Sequence, residues 1–297
     1  MEAVQNIRCI LFDLGSTLWT HTDERLMLAS ERIANLRAVL ELFRCMGTGV
    51  CPHLNVDELG QALRKSFEKQ IRVKTRQHIE YEPDFALAVI DALQQLGVPG
   101  VTHEFGEAIY EALRVRSSDS RKLFDDTLST LAALQERGYL LGVVTNRHYG
   151  GLPFHEDLRT LGLLDYFELC HMAISADLGI RKPHPAIFLH ALKRLNVSPA
   201  EAAMVGDSLS ADVVGAKKLG MLAIWMPKAS LREDARAALL ATTTSKHIEQ
   251  PTLTNDYLLT YTRQTEKRAR QTPADINPDA IIERLSDLLA IFSPPHR

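Results

Sequence analysis

Five short apolar runs, Ile7–Asp13, Tyr139–Thr145, Leu169–Ser175, Ala202–Asp207 and Met221–Met226, constrain this chain more than any other feature. Each has the length of a strand buried on both faces. From Tyr139 onward, amphipathic helices near Glu156–Leu161, Pro185–Leu195 and Leu209–Leu219 separate them. This alternation predicts an α/β fold, a doubly wound parallel sheet with helices on both faces. Right-handed crossovers bring the C-terminal strand ends to one edge. Asp13, Thr145, Ser175 and Asp207 stand at those ends and are expected to converge.

The first run carries the chemistry. Ile-Arg-Cys-Ile-Leu-Phe leads straight into Asp13, and the chain then breaks into Leu-Gly-Ser-Thr17. A carboxylate at the end of a buried parallel strand lies where doubly wound sheets place their ligands. That is the setting of an aspartate nucleophile, a recognised covalent route for phosphoryl groups. The Gly15–Thr17 turn is expected to offer a small nest of backbone N–H groups to an anion.

About 120 residues without strand signals separate the first and second runs, too many for a simple connection. They read as helices. Leu26, Ala29, Ile33, Leu36, Leu40 and Phe43 recur in steps of three and four, which predicts a core-facing seam, with Thr22 as cap, Asp23 and Glu24 in the first turn, and Gly47 as the stop. Further helices are predicted from Val56 to His78, after Pro83, and over Glu104–Val115. Four such helices predict a bundle-like unit over residues 20–118, inserted into a core of residues 1–19 and 119–297. A final helix is predicted at Asp279–Ile291, after a mixed excursion at about 228–271.

Composition excludes several classes. Hydrophobic residues make up 45% and charged residues 24%, ordinary for a globular protein, and the formal charge of −3 gives no reason to expect a nucleic-acid or membrane partner. No apolar run approaches the ~18 residues of a membrane span. A strand already carrying Asp13 leaves no room for a cleavable signal, so a cytoplasmic location is expected. The four cysteines, Cys9, Cys45, Cys51 and Cys170, match no zinc spacing. Cys9 and Cys170 are expected to be buried thiols, and a Cys45–Cys51 disulfide is not expected.

Four segments now stand in order: Asp13-Leu-Gly-Ser-Thr17; Val143-Val-Thr145-Asn146; Arg181-Lys182-Pro183-His-Pro; and Val205-Gly-Asp207-Ser-Leu-Ser-Ala-Asp212. Singly, each reads as a turn or a helix cap. Together they resemble the haloacid dehalogenase superfamily of hydrolases, with the helical insert similar to its mobile cap of the first type. The resemblance implies a Rossmann-like core and a Mg²⁺-dependent phosphohydrolase acting on a small phosphorylated metabolite. It also implies roles: Asp13 as the nucleophile that becomes an aspartyl-phosphate, Thr145 as a hydrogen-bonding partner of the phosphoryl group, and Lys182 as the cation that neutralises it. Asp13, the Gly15 carbonyl and Asp207 would hold the metal, with Asp212 behind them. Independently, phosphoryl transfer rests on positioning and charge stabilisation, and a hard dication takes oxygen ligands. Thr17 and Asn146 are added as candidate substrate contacts.

Phosphatases that it resembles usually carry an aspartate two residues after the nucleophile, as acid and base. Here that residue is Gly15. Losing a positioned acid–base group costs about 10²- to 10⁴-fold. Three readings follow: a phosphohydrolase for good leaving groups or with its acid elsewhere (His21, His78 or Glu82); C–P cleavage through a cap lysine (Lys65, Lys69 or Lys74); or a low-turnover binder of phosphorylated ligands. Lys65, Lys69, Arg72 and Arg76 form a stripe on one predicted helix. It reads either as a solvated face or, at Arg72 and Arg76, as a substrate-attracting one.

Overall fold

The computed structural model describes residues 6–21, 24–115, 120–242, 252–265, 273 and 275–293. Strands β1 (Cys9–Phe12), β4 (Leu140–Thr145), β5 (Met172–Ile174), β6 (Ala202–Gly206), β7 (Leu222–Trp225) and β8 (Ala280–Ile281) form one sheet in the order β5-β4-β1-β6-β7-β8. Every pairing in it is parallel. β1 lies at the centre with all four residues buried, as its unbroken apolar run requires. The chain runs outward from β1 to β4 and β5 on one side, then to β6, β7 and β8 on the other. Asp13, one residue past β1, therefore stands at the switch point where such sheets open a crevice.

Apolar clusters cover both faces of the sheet. One holds Ile10, Phe12, Trp19, Val143, Phe154 and Val205; the other holds Cys9, Leu11, Val144, Phe188, Met204 and Trp225. The helix Pro185–Leu195 matches the sequence reading, with Pro185 in its first turn.

The insert folds as helices α1 (Glu24–Met46), α2 (Val56–Gln77), α3 (Phe85–Gln95) and α4 (His103–Ala112) around their own cluster, which includes Val39, Leu42, Leu63, Phe67, Val89 and Ile109. Asn55 caps α2 in a reciprocal box with Glu58, and Asp84 and Thr102 cap α3 and α4. The predicted seam of α1 is corrected. Leu26, Ile33 and Leu40 are exposed, and Ala34, Asn35, Ala38, Val39 and Leu42 face inward. The reason is close packing: a Cβ on Gly60 of α2 would lie 2.9 Å from Asn35 Cβ, so small residues are needed at this crossing. The predicted cap at Thr22 and Asp23 lies outside the described residues.

Three further expectations are corrected. A two-stranded antiparallel ribbon of β2 (Trp19–His21) and β3 (Arg121–Leu123) joins the insert to the sheet, and three-residue strands 100 positions apart leave no periodic signal. The closing helix is largely replaced. Asp279 accepts the Ala223 N–H at 2.8 Å and pairs with Lys217, so Ala280–Ile281 is drawn in as β8, leaving a 3-10 turn at Leu285–Asp287 and a short helix at Leu288–Ile291. Leu169–His171 is a 3-10 turn rather than strand, which leaves Cys170 exposed; all four cysteines are free thiols. Within the excursion, helices Ala229–Thr242 and Asn255–Thr265 pack on the sheet cluster through Leu231, Ala235, Tyr257 and Leu258. Residues 243–251 and 266–271 of that segment, with the run Glu266–Arg270, lie outside the described residues.

Candidate active site

The parallel ladder extends one step beyond β1, because the Asp13 N–H donates to Val205 O at 2.9 Å. This fixes the Asp13 backbone and leaves its carboxylate at the sheet edge, 8% exposed. Lys182 Nζ donates to Asp13 Oδ1 and to Val144 O, both at 2.7 Å, and lies 2.7 Å from Asp212 Oδ1. Three oxygens therefore meet the three protons of one buried ammonium. Burial disfavours this charge, and Asp13 and Asp212 more than compensate, so the Lys182 pKa is raised.

Asn146 accounts for the placement of Lys182. Its Oδ1 accepts the Lys182 N–H at 2.7 Å, and its Nδ2 donates to Lys182 O at 3.0 Å. Both ends of the amide are engaged with backbone, so Asn146 positions Lys182. The expected substrate contact is corrected accordingly. Thr145 ends β4 beside it, 2% exposed.

Asp13, Asp207 and Asp212 each turn a carboxylate oxygen into one cluster, these atoms lying within 4.8 Å of one another. Gly206 permits this: a Cβ there would come within 2.2 Å of the Asp212 carboxyl. Asp212 Oδ2 accepts the Ser208 N–H at 2.9 Å, and Trp225 Nε1 donates to Asp207 O at 2.8 Å. Burial and then the Asp13 and Asp212 charges push the Asp207 carboxyl up to about 7. Burial, with Asp13 adding to it against the pull of Lys182, raises Asp212 to about 6. The cluster holds more negative charge than Lys182 balances. Convergent, crowded carboxylate oxygens are the donor set that a small hard dication takes, so these residues fit Mg²⁺.

The turn after Asp13 differs from expectation. Ser16, at φ 60°, donates its N–H to Trp19 O at 2.7 Å, and Thr17 donates to Leu14 O at 3.3 Å. Those two amides are engaged, so the expected nest is reduced. Thr17 is fully buried, and its hydroxyl has no partner among the described residues. Gly15 does not adopt a left-handed backbone, and a Cβ there would meet only Trp19 Nε1, at 3.9 Å.

The cap candidates do not join the cluster. Lys65, Lys69, Arg72 and Arg76 are exposed on α2, and Arg72 lies beside Glu68. Lys74 pairs with Asp91 at 2.7 Å. His78 is exposed, and His21 Nδ1 lies 3.0 Å from an Arg121 nitrogen. Glu82 is buried in the seam between insert and sheet, 3.3 Å from Arg181, where backbone bonds Glu82 N–H to Gly179 O and Arg181 N–H to Glu80 O stitch the two together.

Sequence reasoning missed three groups. Lys228 Nζ approaches Asp207 Oδ2 to 3.3 Å, from just beyond β7. Arg114 of the insert forms a buried pair with Asp157 at 2.6 Å. Arg147 stands over the rings of Trp19 and Phe154, at 5.4 and 4.4 Å from their centroids. Only Arg147 carried a signal, its position directly after Thr145-Asn146.

Comparison with known proteins agrees with this geometry. The glyceraldehyde 3-phosphate phosphatase of Pyrococcus furiosus is 46% identical over 98 residues, 32% of this chain and 38% of that one. The phosphoserine phosphatase of Thermus thermophilus is 35% identical over 151 residues, covering 50% and 56%. The chain thus matches little more than a third to just over half the length of these relatives. The crystal structure of a HAD phosphatase from Thermococcus onnurineus superposes with a TM-score of 0.55 at 24% identity, over 97% of this chain and 99% of that one, a likeness of fold. A family model matches residues 7–220, from β1 through the last acidic motif, and the chain belongs to the haloacid dehalogenase-like hydrolases.

Proposed function

We propose that this protein is a phosphohydrolase that transfers the phosphoryl group of a small phosphorylated metabolite to Asp13 and then to water. The observation that carries the reading is the single cluster in which Lys182 contacts both Asp13 and Asp212 while Asp207 closes the third side. The Asp13 carboxylate is held at the sheet edge by the backbone bond from its N–H to β6. Lys182 orients it and places positive charge beside the phosphoryl oxygens, where charge stabilisation matters most. Thr145 ends the neighbouring strand, with its hydroxyl as a further donor. Asp13, Asp207 and Asp212 would hold Mg²⁺, with the Gly15 carbonyl as a further oxygen. Bound there, the ion supplies Lewis-acid charge for the transferring group. The relatives named as phosphatases of three-carbon phosphates support a small substrate. The C–P alternative finds no buried cap lysine among the described residues, since Lys65 and Lys69 are exposed and Lys74 is paired.

The test is phosphate release from a panel of acyl, aryl and alkyl phosphates, with and without Mg²⁺. Turnover that requires Mg²⁺ and disappears in Asp13→Asn supports the reading. Absence of turnover across the panel, with Mg²⁺-dependent binding of a phosphorylated ligand, contradicts it.

A further inference from the structure

Gly15 leaves the leaving-group side of Asp13 without a carboxylic acid, and the space beside it is open except for the indole edge of Trp19 at 3.9 Å. On that indole rests a guanidinium. Arg147 lies 5.4 Å from the Trp19 ring centroid and 4.4 Å from that of Phe154, and both rings belong to the buried core. Two fixed aromatic rings beside one cation restrict its motion and favour its charge. Its backbone is held as firmly: the Arg147 N–H donates to Ser175 Oγ at 2.8 Å, and Ser175 Oγ donates to Arg147 O at 3.1 Å. Among acidic groups, Asp13 favours the Arg147 charge most, ahead of Asp157. Burial and the neighbouring Arg121 lower its pKa to about 10, which keeps it a cation at neutral pH.

We propose that Arg147 meets the departing oxygen of the substrate and holds it as an anion, at the place where a carboxylic acid at position 15 would have protonated it. The substrates are then phosphates whose leaving group is a stable oxyanion, namely acyl phosphates and aryl or enol phosphates. This rests on the phosphohydrolase reading above. In the step, a bond forms between an Asp13 oxygen and phosphorus while the bond from phosphorus to the leaving oxygen breaks. The electron pair of that bond stays on the leaving oxygen, which departs as a carboxylate or phenolate paired with the guanidinium. No proton moves. Preorganised charge at a site of developing charge is worth about 10²- to 10³-fold in rate.

The experiment is kcat/KM for a series of aryl phosphates of graded leaving-group pKa, measured with Mg²⁺ on the wild type, Arg147→Lys and Arg147→Met, with thermal melts of each. Methionine keeps length and ring contact without charge. The proposal expects Arg147→Met to steepen the dependence on leaving-group pKa, losing about 10-fold or more on the poorest leaving groups and little on the best. Arg147→Lys should fall between it and the wild type. Parallel dependences, with one uniform loss for all substrates, would overturn the proposal and make Arg147 structural. If Arg147→Met does not fold, Arg147→Lys decides: a loss that grows with leaving-group pKa supports the proposal, and a uniform one overturns it. A wild type that turns over no phosphate overturns the phosphohydrolase reading, and this proposal with it.

Discussion

Asn146 grips the backbone of Lys182 by both ends of its amide, at 2.7 and 3.0 Å, across 36 residues of chain. The Lys182 ammonium is thus set by the loop after β4 as much as by its own. Asn146→Ala would leave a buried N–H and C=O unpaired, a cost of about 1–3 kcal/mol. We expect lower stability in urea and a fall in kcat approaching about 100-fold, since a displacement near 1 Å carries a cost of that order. Wild-type kcat in a folded Asn146→Ala would contradict this role.

The clamp marks the boundary of what the sequence makes legible. β1, β4, β6 and β7 announce themselves because strands buried on both faces are apolar throughout, and Asp13, Thr145 and Asp207 follow from position at those strand ends, whereas Lys182 and Asp212 follow only from the order of the four motifs. Which oxygen a side chain meets is a tertiary matter. Asn146 reads as a substrate contact until Lys182 is seen against it. In α1 the hydrophobic pattern misleads, because the close approach of Gly60 to Asn35 turns the face with Ala34, Asn35 and Ala38 inward and leaves Ile33 and Leu40 exposed. β8 has two residues and depends on Asp279 reaching Ala223, which no local pattern encodes.

Gly15→Asp tests the departure from the family pattern. The position has no left-handed backbone, and the nearest obstacle to a Cβ is 3.9 Å away, so the variant should fold. An added acid should raise alkyl phosphate turnover by about 10-fold or more. A folded variant with unchanged alkyl phosphate rates would show that the missing acid does not limit the enzyme.

Arg72 and Arg76 stand exposed on α2, where substitutions usually change stability by under about 0.5 kcal/mol. The Arg72→Ala, Arg76→Ala double variant should keep KM within about twofold on the best substrate. A rise of several-fold would place this stripe at the substrate after all.

Glu82 gives a pH signature. Burial raises its carboxyl above its ordinary 4.5, against the pull of Arg181. Above that value the folded state holds the proton more tightly than the unfolded one, so this group lowers stability as pH rises through the window. Glu82→Gln removes the titration. Urea unfolding at pH 5 and pH 7.5 should therefore show the wild type losing stability relative to Glu82→Gln as pH rises. A difference independent of pH, or of opposite sign, would contradict the assignment.

The central claim is that Asp13 carries the phosphoryl group. With Gly15 unable to activate water, hydrolysis of the phosphorylated enzyme should be slow enough for the intermediate to accumulate on a substrate with a good leaving group. Rapid acid quench of the wild type with Mg²⁺ and an aryl phosphate, followed by peptide mass spectrometry, reads this directly. We predict one added phosphoryl group on the peptide containing Asp13, chased by time and absent in Asp13→Asn. Steady turnover with no label on that peptide, or a label that persists in Asp13→Asn, would contradict the account.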